Sequence, residues 1–348
     1  MFINLFIMNV KKNINIGFAV LRIYLSFLVV TTHCFKANDY STRKKLIIKI
    51  IKNSIHVPTF YLISFYFCYN TFKSKNIRKI KIRFQRLFIP YFVWPIIILS
   101  LNNSLSFLLI NKIHIISFKN LILQLITGTD FMSVLWFQFD LIMITLLINI
   151  IHFLFNEKLI LYTFINLFFF GIYFTYSNFN YIFFSKYNYC IKYSFGRFFE
   201  ISGFCIIGYF LASSNFVYIL SKNSIISINI FIPILIFITR LKIFLEIKGF
   251  GYQGLELYIL SISVFFIFSL IPNERVENKY IIKFIKLISN HTAGIYFIHI
   301  NVFYYLYIFS LVKNRTLNVS IIVYFISFLI SFFGKIIFRK TKLINLFQ

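Results

Sequence analysis

The chain has 348 residues, of which 59% are hydrophobic, 22% are aromatic and only 13% are charged. A soluble domain is about 45–50% apolar and about 25% charged, so a soluble fold could not enclose this much apolar surface. The composition excludes soluble, disordered, collagen-like and coiled-coil proteins and indicates an integral membrane protein. Lys and Arg number 36 against 9 Asp and Glu. In a membrane protein such an excess is expected beside anionic lipid headgroups, so we expect contact with membrane lipids and no nucleic acid partner.

Ten segments are candidate transmembrane helices, because about 20 apolar residues cross about 30 Å of hydrocarbon. They are residues 16–34, 57–72, 87–103, 134–155, 159–176, 197–213, 223–240, 255–272, 293–311 and 319–338. Segment 105–128 is apolar but interrupted by polar residues, which favours a loop with an interfacial helix. No cleavage site follows the apolar residues 1–8, so we expect no cleaved signal peptide. The predicted fold is all-α, a polytopic bundle of about ten spans.

The loop charges predict the orientation, since cytoplasmic loops carry an excess of Lys and Arg. The inner loops hold the excess if both termini are cytoplasmic, and several of the outer cations fall in residues 36–52. That stretch is patterned as a basic amphipathic surface helix. The four cysteines have neither CxxC nor Cys/His metal spacing, so we expect no disulfide framework and no metal.

Arg22 and His33 lie within the first span. Their separation of eleven residues puts both on one helix face, about 16 Å apart along the axis. Polar residues inside a span are functional candidates, and this pair could bind an anionic substrate at Arg22 and transfer a proton at His33. The alternative is that Arg22 extends toward the headgroups and His33 is a boundary residue.

Arg83 and Arg86 precede the third span and are neighbours if that segment is helical. Two guanidinium groups can grip phosphate oxygens bidentately, which a single lysine cannot. The alternative is a basic anchor at the cytoplasmic headgroups.

Other polar candidates lie near the ends of later spans. His56 precedes the second span, and Tyr296 and His299 share one face of the ninth. Asp140 follows Trp136 by four residues in the fourth span, and pairing with a cation is its simplest role. The chain has no Gly-rich phosphate loop, GxSxG elbow or HExxH, which leaves soluble hydrolases, kinases and metalloproteases unsupported.

Taken in order, these motifs resemble the integral-membrane acyltransferase-3 family, best known for O-acetylation of bacterial surface sugars. The matching segments are Arg22 with His33, His56-Val-Pro58-x-Phe60, Arg83-x-x-Arg86 with Pro90-Tyr91, Leu135-Trp136-Phe137, the Gly203–Leu211 helix and Gly294-Ile-Tyr296-Phe-Ile-His299. The family continues its second helix with a Ser-Gly step, whereas this chain has Ser64-Phe65. Each motif alone is weak, and their ordered sum is fairly specific.

The resemblance implies one transmembrane acyltransferase domain over residues 1–348 of a bacterial inner-membrane protein. The donor would be cytosolic acyl-CoA, with acetyl-CoA expected, and its phosphates would bind Arg83 and Arg86. Arg22 would hold the donor or steady developing negative charge, and His33 would be the general base. A transient acyl-histidine is the alternative.

The acceptor implied by the resemblance is a hydroxyl of a cell-surface or lipid-linked glycan at the outer side. Substrate or pocket residues would be His56, Trp136, Tyr296 and His299.

Three other functions remain open at this stage. A lipid-linked glycan flippase or small-molecule transporter would also use a basic bundle, but it does not account for the ordered motifs. A glycan polymerase or other membrane glycosyltransferase would be expected to use carboxylates or a large loop, and acidic residues are scarce. A purely structural membrane protein does not explain charges within spans.

Overall fold

The computed structural model describes most of the chain in eight stretches. These are residues 16–34, 55–108, 135–155, 189–214, 224–244, 255–271, 278–312 and 316–347, with the isolated positions 122, 125–126, 159–160, 163, 165–166, 217 and 220. The predicted surface helix in 36–52, and most of segment 105–128 and of the predicted span 159–176, lie outside the described residues.

Ten α-helices and no strand occur in the described stretches. The helices are α1 (Ile16–Cys34), α2 (His56–Lys73), α3 (Ile77–Leu108), α4 (Leu135–Leu154), α5 (Tyr189–Ser213), α6 (Ser224–Phe244), α7 (Leu255–Ser269), α8 (Lys279–Ser289), α9 (Thr292–Ile308) and α10 (Leu317–Ile337). A 3₁₀ helix at Lys342–Phe347 follows α10. The predicted all-α class is therefore confirmed for this part of the chain.

Four of the described helices are long and apolar enough to cross a membrane. They are Ile16–Cys34, Ile77–Leu101, Leu135–Leu154 and Leu317–Ile337. Shorter apolar helices occur at Ile201–Ser213, Ile228–Ile238, Glu256–Ser269 and Thr292–Ile308. The membrane-spanning character of the fold is supported, whereas the count of about ten spans stays a prediction.

Helix α8 was not predicted from the sequence, where its lysines were read as loop charges. The side chain of Asn278 caps it by accepting hydrogen bonds from the backbone N–H groups of Tyr280 and Ile281. Tyr280 and Phe284 are 82% and 61% exposed on one face, while the helix also packs against α1. An apolar exposed face among lysines is typical of a helix lying in the membrane interface.

Helices α1 and α2 form the centre of the bundle. Helix α1 packs against α2, α7, α8, α9 and α10, and α2 also packs against α3, α4, α5 and α7. The hydroxyl groups of Ser26 in α1 and Tyr324 in α10 lie 3.0 Å apart and form a hydrogen bond. Side chains from several helices can therefore meet around α1 and α2.

Helix α5 lies close against α2 at Gly208. A Cβ atom at this position would overlap the backbone carbonyl oxygen of Leu62. Neither backbone can move aside easily, because Leu62 itself is fully buried. Glycine at 208 thus sets how near α5 can lie to α2.

The C-terminal 3₁₀ helix closes one end of the bundle. The indole N–H of Trp94 in α3 donates to the carbonyl oxygen of Leu346 at 3.3 Å. The ring of Phe347 lies against Gly334 in α10, where a Cβ would overlap it. The end of the chain is thereby tied to α3, α9 and α10.

We expect Gly208→Ala to destabilise the protein, because the added methyl group must push α5 away from Leu62. Overpacking of this kind costs about 1–3 kcal/mol. The measurement is the melting temperature in detergent, with Ser213→Ala, at an exposed site near the end of the same helix, as the matched control. Equal melting temperatures for the two variants would contradict the close-packing argument.

Candidate active site

A cavity of about 510 Å³ lies among α1, α2, α3, α4, the end of α8, α9 and α10. Four cationic side chains line it, and these are Arg22, Arg83, Arg86 and Lys335. Its polar lining is completed by Ser64, Gln138, Ser289, Asn290, Thr292 and Tyr296. No Asp or Glu is among its described lining residues, so the cavity is suited to an anionic ligand.

Arg22 reaches the cavity from the middle of α1. Its guanidinium carbon lies 5.2 Å from the centre of the Phe67 ring in α2, which is a cation–π distance. The side chain is half-buried rather than extended to an exposed position. This location favours a role at the cavity over a purely peripheral one.

Arg83 is held between α2 and α4 by hydrogen bonds and aromatic rings. Its guanidinium donates to the hydroxyl groups of Ser64 at 3.2 Å and Thr145 at 3.3 Å. It also lies 5.3 Å from the Phe65 ring and 5.8 Å from the Phe72 ring. Phe65, at the position where the resemblance implies a glycine, therefore packs against the arginine. These contacts fix the guanidinium at the cavity wall.

Arg86 and Lys335 form a second cationic group at the cavity. Arg86 follows Arg83 by about one turn of α3, as the spacing predicted, and its side chain is exposed. Lys335 lies in the last turn of α10. The two charges lie within electrostatic range of each other. Like charges held together raise the free energy of the empty cavity and so favour binding of an anion.

Lys335 is a site residue that sequence reasoning missed. It was read only as one of the basic residues that orient the chain, because nothing in its local sequence distinguishes it.

His291 lies within electrostatic range of Lys335 and forms a hydrogen bond with the hydroxyl of Ser331, with 3.1 Å between Nδ1 and Oγ. Burial, and secondly the charge of Lys335, lower the pKa of His291 to about 4. His291 is therefore neutral at pH 7 and adds no fifth positive charge.

Two further predicted residues, His33 and His299, meet outside the cavity lining. Their ring centroids are 5.3 Å apart, with His33 exposed at the end of α1 and His299 fully buried in α9. Buried His56, at the start of α2, lies within electrostatic range of His299. The structure thus brings together three histidines that are far apart in the sequence.

An aromatic layer connects the cavity to the histidines. The rings of Phe60 and Tyr296, both at the cavity wall, lie 6.2 Å and 5.1 Å from the ring of Phe137. The Tyr296 ring in turn lies 6.0 Å from His299. Trp136 lies half-buried beside Phe137, with ring centroids 6.3 Å apart, and is not among the cavity-lining residues.

Asp140 is fully buried in α4. The hydroxyl of Tyr61 donates to its Oδ2 at 3.3 Å and lies equally far from the carbonyl oxygen of Phe137. The carboxylate of Asp140 is thus hydrogen-bonded to Tyr61, next to Phe137 of the aromatic layer. The sequence expectation of a cationic partner for Asp140 stays a prediction.

The two arginines are expected to differ in their effect on stability. Arg83→Ala removes two hydrogen bonds and two ring contacts, which we expect to cost about 1–3 kcal/mol. Arg86→Ala changes an exposed side chain and is expected to stay within about 0.5 kcal/mol of the wild type. Melting temperatures in detergent test this, and a greater loss for Arg86→Ala than for Arg83→Ala would contradict it.

A comparison with known protein families gives one match that covers nearly the whole chain. A family model described as an acyltransferase domain matches residues 15–340. No curated protein and no solved structure matches the chain. The family match includes every element that contributes to the cavity and to the histidine group. The predicted family is thereby confirmed, and the protein belongs to the acyltransferase-3 family.

Proposed function

We propose that this protein is a membrane O-acyltransferase that moves an acyl group, acetyl in the first instance, from cytosolic acyl-CoA to a glycan hydroxyl. Family membership supports the transfer of an acyl group. The observation that carries the proposed donor and acceptor chemistry is the arrangement along α1. Arg22 lines a cationic cavity, and His33, eleven residues after Arg22, contacts His299.

The cationic cavity suits the phosphate groups of CoA. CoA carries a diphosphate and a 3′-phosphate, and the cavity offers four cations with no acidic residue in its described lining. Arg83 is fixed by Ser64 and Thr145, so its guanidinium is pre-organised for the ligand. Arg86 and Lys335 then supply charge from the more accessible part of the wall.

The aromatic layer suits the uncharged arm that carries the thioester. When the thioester arm of the donor packs against Phe60, Phe137 and Tyr296, it loses contact with water, because these rings surround it with apolar surface. Exclusion of water protects the thioester from hydrolysis. The thioester would then approach His33, about 16 Å along α1 from Arg22.

At His33 the proposed step is direct transfer. The neutral imidazole takes the proton of the acceptor hydroxyl as the oxygen attacks the thioester carbonyl carbon. The C–S bond breaks, and the imidazolium returns the proton to the departing thiolate, which leaves as CoA. Arg22 stabilises the negative charge of the donor from within the cavity.

The separation of the two groups fits this chemistry. His33 is exposed at the end of α1, whereas Arg86 and Lys335 line the cavity together with Arg22, eleven residues earlier in α1. We place the cations on the cytoplasmic side, where acyl-CoA is made, and His33 on the outer side, where a lipid-linked or surface glycan is met. Both termini would then be cytoplasmic, in the bacterial inner membrane.

The primary test is ester-linked acetyl on surface glycan from a strain that lacks the gene and expresses either wild type or His33→Ala. We expect acetyl groups with the wild type and a loss of about 100-fold or more with His33→Ala, because a general base contributes at least that factor. Mass spectrometry of the extracted glycan gives the readout.

The matched control is Thr32→Ala, at the preceding position of α1, whose hydroxyl donates to the carbonyl oxygen of Leu28 within the same helix. Its acetylation should equal that of the wild type. Acetylation that persists in His33→Ala would remove the role given to His33. A wild type that changes glycan export or length without adding any acyl group would instead support a flippase or polymerase.

A second prediction concerns the contribution of Lys335 to donor binding. We expect Lys335→Gln to weaken the binding of CoA about tenfold, which corresponds to one charge-assisted hydrogen bond of about 1.5 kcal/mol. Calorimetry with the purified protein in detergent measures the dissociation constant.

Lys340→Gln is the control for Lys335→Gln, because it removes the same charge at an exposed position five residues further on. It should bind CoA like the wild type. An equal effect of both variants would mean that only the general positive field matters, and that Lys335 does not contact the donor.

A further inference from the structure

The tautomer of His299 is fixed by its own helix. Its Nδ1 lies 2.7 Å from the carbonyl oxygen of Tyr296 and 3.2 Å from that of Ile295. Carbonyl oxygens only accept hydrogen bonds, so Nδ1 must carry the hydrogen and donate it. In the neutral ring Nε2 therefore holds a lone pair and acts only as an acceptor.

The Nε2 atom of His299 has no hydrogen-bond partner among the described residues. It is fully enclosed, as is the whole side chain. Buried acceptors are nearly always satisfied, because an unmade hydrogen bond costs free energy, and exceptions are often found at functional sites. A donor is therefore expected to reach this atom in the working protein.

The group best placed to supply that donor is His33. The two rings are tilted by 52° to each other, with their centroids 5.3 Å apart. Because His299 is enclosed and held by two carbonyl groups while His33 is exposed, the ring that adjusts is that of His33.

We infer that His299 is a positioning residue whose Nε2 accepts a hydrogen bond from the imidazole N–H of His33. This inference rests on the proposed function and adds the tautomer of the base to it. A neutral imidazole has one N–H, so the bond to His299 leaves the lone pair of the other His33 nitrogen facing the acceptor hydroxyl.

The proton count of the proposed transfer is unchanged by His299. His33 gains the hydroxyl proton as the new C–O bond forms and the C–S bond breaks, and then releases it to the thiolate. Throughout the step His33 keeps the N–H that points to His299, and His299 keeps its own proton on Nδ1. The residue thus orients the base and stabilises the transient imidazolium without itself titrating.

Two amide variants separate this role from simple packing. In His299→Gln the side-chain oxygen can occupy the place of Nε2 and still accept a hydrogen bond from His33. In His299→Asn the shorter side chain can replace only Nδ1, so it can bond to the Tyr296 carbonyl group and leaves no acceptor near His33. Both variants are polar, and both put an amide in the same buried space.

The experiment measures kcat and KM for acetyl-CoA in membranes or detergent, with the melting temperature of each variant. We expect His299→Asn to lower kcat about 100-fold with KM for acetyl-CoA unchanged, and His299→Gln to remain within about tenfold of the wild type. Tyr307→Phe, at an exposed position of the same helix, is the control and should behave as the wild type.

The outcomes are distinct. Full activity of both variants overturns the inference, and so does an equal loss in both at native melting temperature, since packing alone would then explain it. A change confined to KM also overturns it. If His299→Asn fails to fold, His299→Leu takes its place, because leucine fills the space without offering an acceptor, and the same comparison with His299→Gln then decides. A wild type without any acyl transfer overturns the proposed function itself, and this inference with it.

Discussion

Uncompensated charge in a membrane interior costs free energy, and this constraint governs how the bundle arranges its cations. Arg83 meets it with two hydroxyl groups and two aromatic rings, and Arg22 with the ring of Phe67. Arg86 and Lys335 instead share one cavity whose described lining offers no carboxylate. The cavity is therefore left with a positive potential that an anionic ligand can satisfy, which is the physical basis for the proposed donor site.

Helix α1 links this cavity to the proposed chemistry. One face of α1 places Arg22 at the cavity and His33 in the histidine group. The helix therefore sets a distance of about 16 Å along its axis between Arg22 and the proposed base. The helices around α1 complete both ends, with α9 contributing Tyr296 to the cavity wall and His299 one turn later. A shift of α9 along α1 would therefore alter both sites together.

Several parts of the site could be predicted from particular residues. The eleven-residue spacing placed Arg22 and His33 on one face, and the Arg83–Arg86 spacing matched the helix that carries both to the cavity. Lys335 could not be predicted, because its neighbours across the cavity are distant in sequence and its local context is that of a basic anchor. Helix α8 was missed although Lys279, Lys283 and Lys286 recur at helical spacing, because these lysines were counted only as loop charges.

The sequence by itself determined the class of molecule, the helical bundle, the paired arginines and the family, because composition, helical periodicity and ordered motifs are properties of the chain alone. Only the tertiary structure decided that Phe65 packs on Arg83, that Lys335 joins the arginines, and that His33 meets His299. Each is a contact between helices brought together by packing. Such contacts depend on how near and at which register two helices lie, as Gly208 sets for α5 against α2, and local sequence does not encode that register.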